Sequence, residues 1–114
     1  MTYSKGKCAA VTEKDEKLLM VISIGYGDTA GASHKSKPMN SLCKTEGAMP
    51  DWFRKGMEAA QLAPTATNQQ KFLLELTGDV VKAKALSGFY SKVDLGIVKY
   101  HFEIGAGNGD WKWE

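Results

Sequence analysis

The chain predicts one mixed domain in which helices pack against a β-hairpin. Three patterns carry that expectation. Phe53, Met57 and Ala60 recur at helical spacing, apolar residues alternate at strand spacing on both sides of Gly78-Asp79, and a second helical stretch from Asp94 is apolar around much of its circumference. With 114 residues, 43% of them hydrophobic, the chain is the length of one ordinary domain and can enclose one modest core.

Residues 1–14 are polar, and Lys5, Gly6 and Lys7 argue against packing, so a loose lead-in is expected before a single module over 15–114. The first apolar run, Leu18-Leu19-Met20-Val21-Ile22-Ser23-Ile24, contains several β-branched residues and is stopped by Gly25. It reads as a strand buried on both faces. Gly25 to Pro38 is too rich in glycine, small residues and proline for regular structure, and loops of that length in compact domains tend to be functional or disordered. A short helical turn is expected over Ser41 to Lys44.

The helix that follows has clear bounds. Pro50 suits its first position, Asp51 favours the positive end of the dipole, and Pro64 forces the preceding residue away from helical angles, so it is expected from about Pro50 to Leu62. Phe72, Leu74 and Leu76 then alternate with Leu73 and Glu75. Beyond Gly78-Asp79, Val81, Ala83 and Ala85 alternate with Lys82 and Lys84, which describes an antiparallel hairpin. Asp94 can cap a last helix containing Leu95, Val98, Phe102 and Ala106, with Ile97, His101 and Ile104 widening its apolar surface. Such a helix is buried in a core or an interface. Gly105, Gly107 and Gly109 end it, and Trp111 and Trp113 form a tail expected to dock on something apolar.

Several function classes are disfavoured. A net charge of +2 with interspersed acids and lysines provides no basic stripe for nucleic acid. No apolar run approaches the roughly 20 residues of a membrane-spanning helix, and Met1 to Lys7 lacks the form of a secretory signal, so the cytoplasm is the expected address. Cys8 and Cys43 are far apart and read as free buried thiols; neither they nor His34 and His101 have metal-ligand spacing, so no metal is expected. His101, among apolar neighbours in mid-helix, reads as a satisfied core histidine, and no paired acids or Ser-His-Asp set offers a hydrolytic mechanism.

Two segments carry the candidate chemistry. Gly25-x-Gly27-x-x-Ala30 resembles a dinucleotide fingerprint in spacing, but Gly31, Ser33 and Pro38 prevent a helix from starting there, so a Rossmann site is rejected. What remains is Lys35 and Lys37 after flexible backbone, a pair that can hold a phosphate or can equally be two solvated lysines. The second segment is Ala63-Pro64-Thr65-Ala66-Thr67-Asn68-Gln69-Gln70. Its hydroxyls and amides suit the donor and acceptor edge of a planar heterocycle, the plainer reading being a polar connector.

Ala63 to Gln70 resembles the Ala-Pro-Ser-x-x-Asn-x-Gln signature of the FMN-dependent nitroreductase family. Gly25-Tyr26-Gly27 with Lys35 and Lys37 is similar to that family's Gly-Tyr-Pro loop and its basic residues, and Asp94-Leu95-Gly96-Ile97 resembles the start of its central helix. The matches run from about Leu18 to Gly107 and are similar to the later half of a divergent branch that fuses two half-modules in one chain. The resemblance implies an α+β fold with a mainly antiparallel sheet packed against helices and a dimer-like core. It implies that Pro64, Thr65, Ala66 and Asn68 lie along FMN while Lys35 and Lys37 approach its phosphate. It also implies NAD(P)H as electron donor, a nitro compound, quinone or similar small molecule as acceptor, and either a complementary half-module or a second copy as partner. Departures are Gly27 for the loop proline, Lys71-Phe72 for the usual Pro-Trp, and the absence of the Arg-Arg-Ser element that opens the family's first module. The other reading is a catalytically silent interaction domain of the same fold that presents its apolar last helix with Trp111 and Trp113 to a partner.

Overall fold

The computed structural model describes residues 12–114. The chain divides into two units, one ending at Ala32 and the other spanning Ser33–Glu114. Within the first, the described residues form neither helix nor strand. This corrects the expected buried strand at Leu18–Ile24, where Ile22 is 77% and Ile24 96% exposed. The run has the composition of a strand, but burial on both faces also requires a paired neighbour and covering layers, and none of the described strands pairs with it. Cys8 and most of the expected lead-in lie outside the described residues.

The second unit opens with a 3₁₀ turn, Met39–Ser41, then β1 (Cys43–Thr45), α1 (Asp51–Ala60), a second 3₁₀ turn (Ala66–Asn68), β2 (Phe72–Thr77), β3 (Val80–Ala85), α2 (Ser91–Ala106) and β4 (Lys112–Trp113). The expected helical turn over Ser41–Lys44 thus lies slightly earlier, and Cys43 begins a strand instead. The four strands form one sheet in the order β1-β2-β3-β4. Its centre is the expected antiparallel hairpin, with Phe72 opposite Ala85 and Thr77 opposite Val80. Gly78 takes φ +62 at the tip, a left-handed position that the twist of a two-residue hairpin demands and glycine supplies at little cost. Both outer strands join parallel, β1 to β2 and β3 to β4. Parallel neighbours need a crossover, and α1 and α2 provide the two.

Alternation along the hairpin sorts the two faces of the sheet. Phe72, Leu74, Leu76 and Val81 point into the core with Leu42, Phe53, Met57, Ala60, Val98 and Phe102. The opposite face carries ion pairs between Lys84 and Glu75 at 2.6 Å and between Lys82 and Glu114 at 3.0 Å. Lys84, with Lys44 and Lys82 nearby, holds the Glu75 carboxyl below the ordinary glutamate range. Burial raises the Cys43 thiol, which donates to the Met39 carbonyl at 3.3 Å, so this cysteine is protected rather than activated.

The helices pack on each other through glycines. The Phe102 ring lies flat enough against Gly56 that a Cβ there would come within 2.5 Å of it. A Cβ on Gly105 would overlap the Lys55 carbonyl oxygen and approach the Ala59 methyl to 2.6 Å. On the solvent side of α1, Arg54 bonds both Asp51 and Glu58, while Lys55 reaches Asp51 at 2.9 Å. These exposed pairs suit the helix but contribute little to stability. Beyond α2, Gly107 takes φ +68 and closes the helix, and the tail docks as expected. Trp111 stacks on Trp52 with ring centres 5.8 Å apart, Trp113 sits 5.3 Å from Phe102, and Lys99 lies 4.6 Å over the Trp113 ring.

Candidate functional site

Helix α1 delivers the chain into the Ala63–Gln70 loop. α1 ends at Ala60, two residues short of the expected Leu62, and residues 61–63 turn the chain toward Pro64, with Ala63 buried in the core and Pro64 exposed. From there the backbone is unusual: Thr67, Asn68 and Gln70 have φ of 51, 55 and 48, respectively. A left-handed conformation is costly for the Cβ-branched Thr67 and disfavoured for Gln70, while asparagine tolerates it, and the two costly positions persist only where surrounding contacts over-determine them.

Those contacts come from the loop's own polar groups. The Thr65 hydroxyl accepts the Gln70 N–H at 3.0 Å, and the Thr67 hydroxyl donates to the Ala66 carbonyl at 2.7 Å. Gln70, only 4% exposed, accepts the Lys37 N–H at 2.7 Å through Oε1 and donates through Nε2 to the Lys35 carbonyl at 2.9 Å. Its Nε2 also faces the Asn68 Oδ1 at 3.0 Å, while Asn68 Nδ2 donates to the same Lys35 carbonyl at 3.0 Å. Lys37 Nζ donates to the Gln69 carbonyl at 2.9 Å. On the flank, Ser36 donates to the Gln61 carbonyl and Gln61 donates to the Lys37 carbonyl. The two segments singled out in the sequence, Lys35–Lys37 and Ala63–Gln70, are therefore hydrogen-bonded neighbours. Their side-chain amides bond the chain itself; Pro64, Thr67 and Asn68 are the exposed residues of the loop, and Thr65 and Ala66 are half-buried. Among the described residues neither Lys35 nor Lys37 forms an ion pair with a carboxylate.

Asp94 corrects another expectation. It was expected as the cap of the last helix, but α2 begins three residues earlier at Ser91, after Tyr90 in a left-handed conformation and without a side-chain cap. Asp94 lies in the first turn and is 6% exposed. Its Oδ1 accepts the Ala66 N–H at 3.0 Å and its Oδ2 accepts Gln69 Nε2 at 2.8 Å. The same Gln69 nitrogen donates to the Phe89 carbonyl at 2.6 Å. This connection joins residues 25 positions apart, a separation at which no local pattern in the sequence points to it. His101 has no such role: it is half-buried, with Nδ1 3.0 Å from the Ile97 carbonyl within its own helix.

The Gly25-Tyr26-Gly27 stretch belongs to the other unit, where Tyr26 is fully exposed and the Thr29 hydroxyl accepts the Gly31 N–H at 3.3 Å. Two concavities of about 420 and 360 Å³ lie on the charged face of the sheet, both bordered by Glu75 and Thr77. Both are open to solvent, and neither includes a residue of the Ala63–Gln70 loop. No helix among the described residues is long and apolar enough to cross a membrane.

The family model described as Putative TM nitroreductase matches residues 1–106. The chain belongs to this nitroreductase family. Its match takes in the Lys35–Lys37 segment, the Ala63–Gln70 loop and all of α2, so every candidate residue falls inside the nitroreductase region, whereas Trp111 and Trp113 follow it. No curated protein and no solved structure matches the chain significantly.

Proposed function

We propose that this chain is the FMN-binding portion of a cytoplasmic, NAD(P)H-dependent oxidoreductase that reduces nitro compounds, quinones or similar small acceptors. One observation supports this above the others: the cationic segment and the loop with the family signature are bonded directly to each other. The donor set suits the cofactor. Lys35 and Lys37 have no carboxylate partner among the described residues and would hold the phosphate, while Pro64, Thr65, Ala66 and Asn68 would flank the ribityl chain and ring. Bound FMN would supply the redox chemistry, taking a hydride from the nicotinamide and passing electrons to the acceptor. The chain's own contribution in this reading is binding and orientation.

Saturable quenching of flavin fluorescence by the folded chain is expected, and folded protein that leaves FMN unquenched would sink the proposal. Replacing both lysines with alanine is expected to weaken FMN binding about tenfold at low salt and distinctly less at high salt, because ions screen exposed charges beyond roughly 10 Å at 0.1 M. Equal affinities for the two proteins would return Lys35 and Lys37 to the solvated surface.

A second reading, a flavin-free interaction module, is favoured by α2. One face of the helix packs in the core through Val98 and Phe102, yet Tyr100 and Ile104 are 64% and 66% exposed on another. A complementary half-module or a second copy covering that face would bury these two exposed apolar side chains. Sedimentation is expected to show a stable complex in the absence of flavin; a monodisperse monomer at micromolar concentration would count against this reading.

A further inference from the structure

The Asp94 carboxylate is unusual in what it serves. It is almost fully buried, it does not cap its helix, and both its oxygens face the underside of the Ala63–Gln70 loop. We propose that Asp94 is a positioning residue that, through Gln69, holds this loop in its left-handed form before a flavin arrives, an inference that rests on the flavin reading above.

Thr67 and Gln70 occupy a backbone region that such residues avoid, on either side of an Asn68 that tolerates it, and the free loop gains freedom by leaving it. Two clamps oppose that release. On one side Gln70 and Asn68 fasten the loop to Lys35 and Lys37. On the other, Asp94 takes the Ala66 N–H at the entrance to the strained stretch and the Gln69 amide in its middle. Because α2 packs in the core through Val98 and Phe102, Asp94 is carried by a buried helix. Gln69 extends the strut by donating also to the Phe89 carbonyl, so the turn carrying Phe89 and Tyr90 is held to the same loop. A surface held in its binding form loses less freedom when a ligand docks, and that difference appears as affinity. Asp94 acts here without touching the ligand.

Asparagine at this position tests the chemistry with almost no change in shape. Asp94 now receives two donors on two oxygens, whereas an asparagine has one oxygen and a donating nitrogen. If the oxygen keeps Ala66, the nitrogen faces the Gln69 nitrogen. Turning the Gln69 amide over relieves that opposition but sets its oxygen against the Phe89 carbonyl. No arrangement satisfies every group, so D94N should loosen the loop while leaving α2 in place.

The experiment measures amide hydrogen exchange at Ala66 in the flavin-free full chain, FMN affinity by fluorescence titration, and visible circular dichroism of FMN at saturation. It compares the wild type with D94N and with Gln69→Ala, which frees the strut from its half-exposed end should the buried substitution fail to fold. Expected are at least tenfold faster exchange at Ala66 in D94N, FMN binding weakened about tenfold, an altered visible dichroism, and smaller changes in the same direction for Gln69→Ala. A merely structural role would lower the melting temperature but leave the dichroism of bound FMN unchanged, and that result would overturn the proposal. So would unchanged Ala66 exchange in a folded variant. If wild-type protein binds no FMN, the flavin reading and the affinity role assigned to Asp94 fall together. The exchange measurement then still decides whether Asp94 holds the loop.

Discussion

Phe102→Ala is expected to destabilise the protein by about 3–5 kcal/mol, the range for removing a fully buried aromatic side chain. Phe102 has no exposure, and its ring centre lies 5.4 Å from those of Phe53 and Trp111 and 5.3 Å from that of Trp113. It therefore joins α1, α2 and the tail at one point, and its loss leaves a cavity lined by the Phe53, Trp111 and Trp113 rings. Domains of this size have total stabilities of about 5–15 kcal/mol, so the variant would retain little margin. Urea denaturation followed by tryptophan fluorescence measures the effect. A loss below about 1 kcal/mol would mean that the helices and tail do not meet as described.

Gly105→Ala is expected to be destabilising by roughly 1–3 kcal/mol, as overpacking is. Helix propensity taken alone predicts the opposite, a gain of about 1 kcal/mol for alanine over glycine inside a helix. The contest is decided at the crossing with α1, where a Cβ at 105 would meet the Lys55 carbonyl and the Ala59 methyl. The first is main chain and the second is fixed directly to it, so neither can swing aside as the end of a flexible side chain could. Gly96 lies in the same helix with open space where its Cβ would be, which makes it the control. Gly96→Ala should follow propensity and stabilise slightly, while Gly105→Ala should reverse the sign. Parallel shifts in the two denaturation midpoints would show that helix packing does not set the role of Gly105.

What could be read from the chain was local. The hairpin was legible because alternating apolar residues and Gly78-Asp79 specify strands, turn and register within a few positions. Helix α1 was legible for the same reason, with Phe53, Met57 and Ala60 on its buried face, although it ends at Ala60 rather than near Leu62. β1 was missed because three residues hold too little periodicity to register, and its place comes from pairing with Leu74, Glu75 and Leu76 far along the chain. Leu18–Ile24 misled for the converse reason: its composition favours a strand, but a strand exists only against a partner.

The candidate site divides in the same way. Residue types and spacing marked Ala63–Gln70 and Lys35–Lys37 separately, and the family signature they carry fits the nitroreductase match. Only the tertiary structure joins them, through the Lys35 carbonyl and the Lys37 N–H, and only there do the loop amides prove to be the fastenings of the loop. Asp94 changed most. In the sequence it was a helix cap, because capping is the local use for an aspartate before an apolar helical run. In the folded chain it bonds residues 25 and 28 positions away. Sequence by itself determined the elements that propensity and periodicity encode over short stretches, together with the family. The pairing of β1 and β4, the close glycine contact between α1 and α2, and the strut beneath the loop were decided by tertiary structure, because each depends on which surfaces meet after the chain has closed.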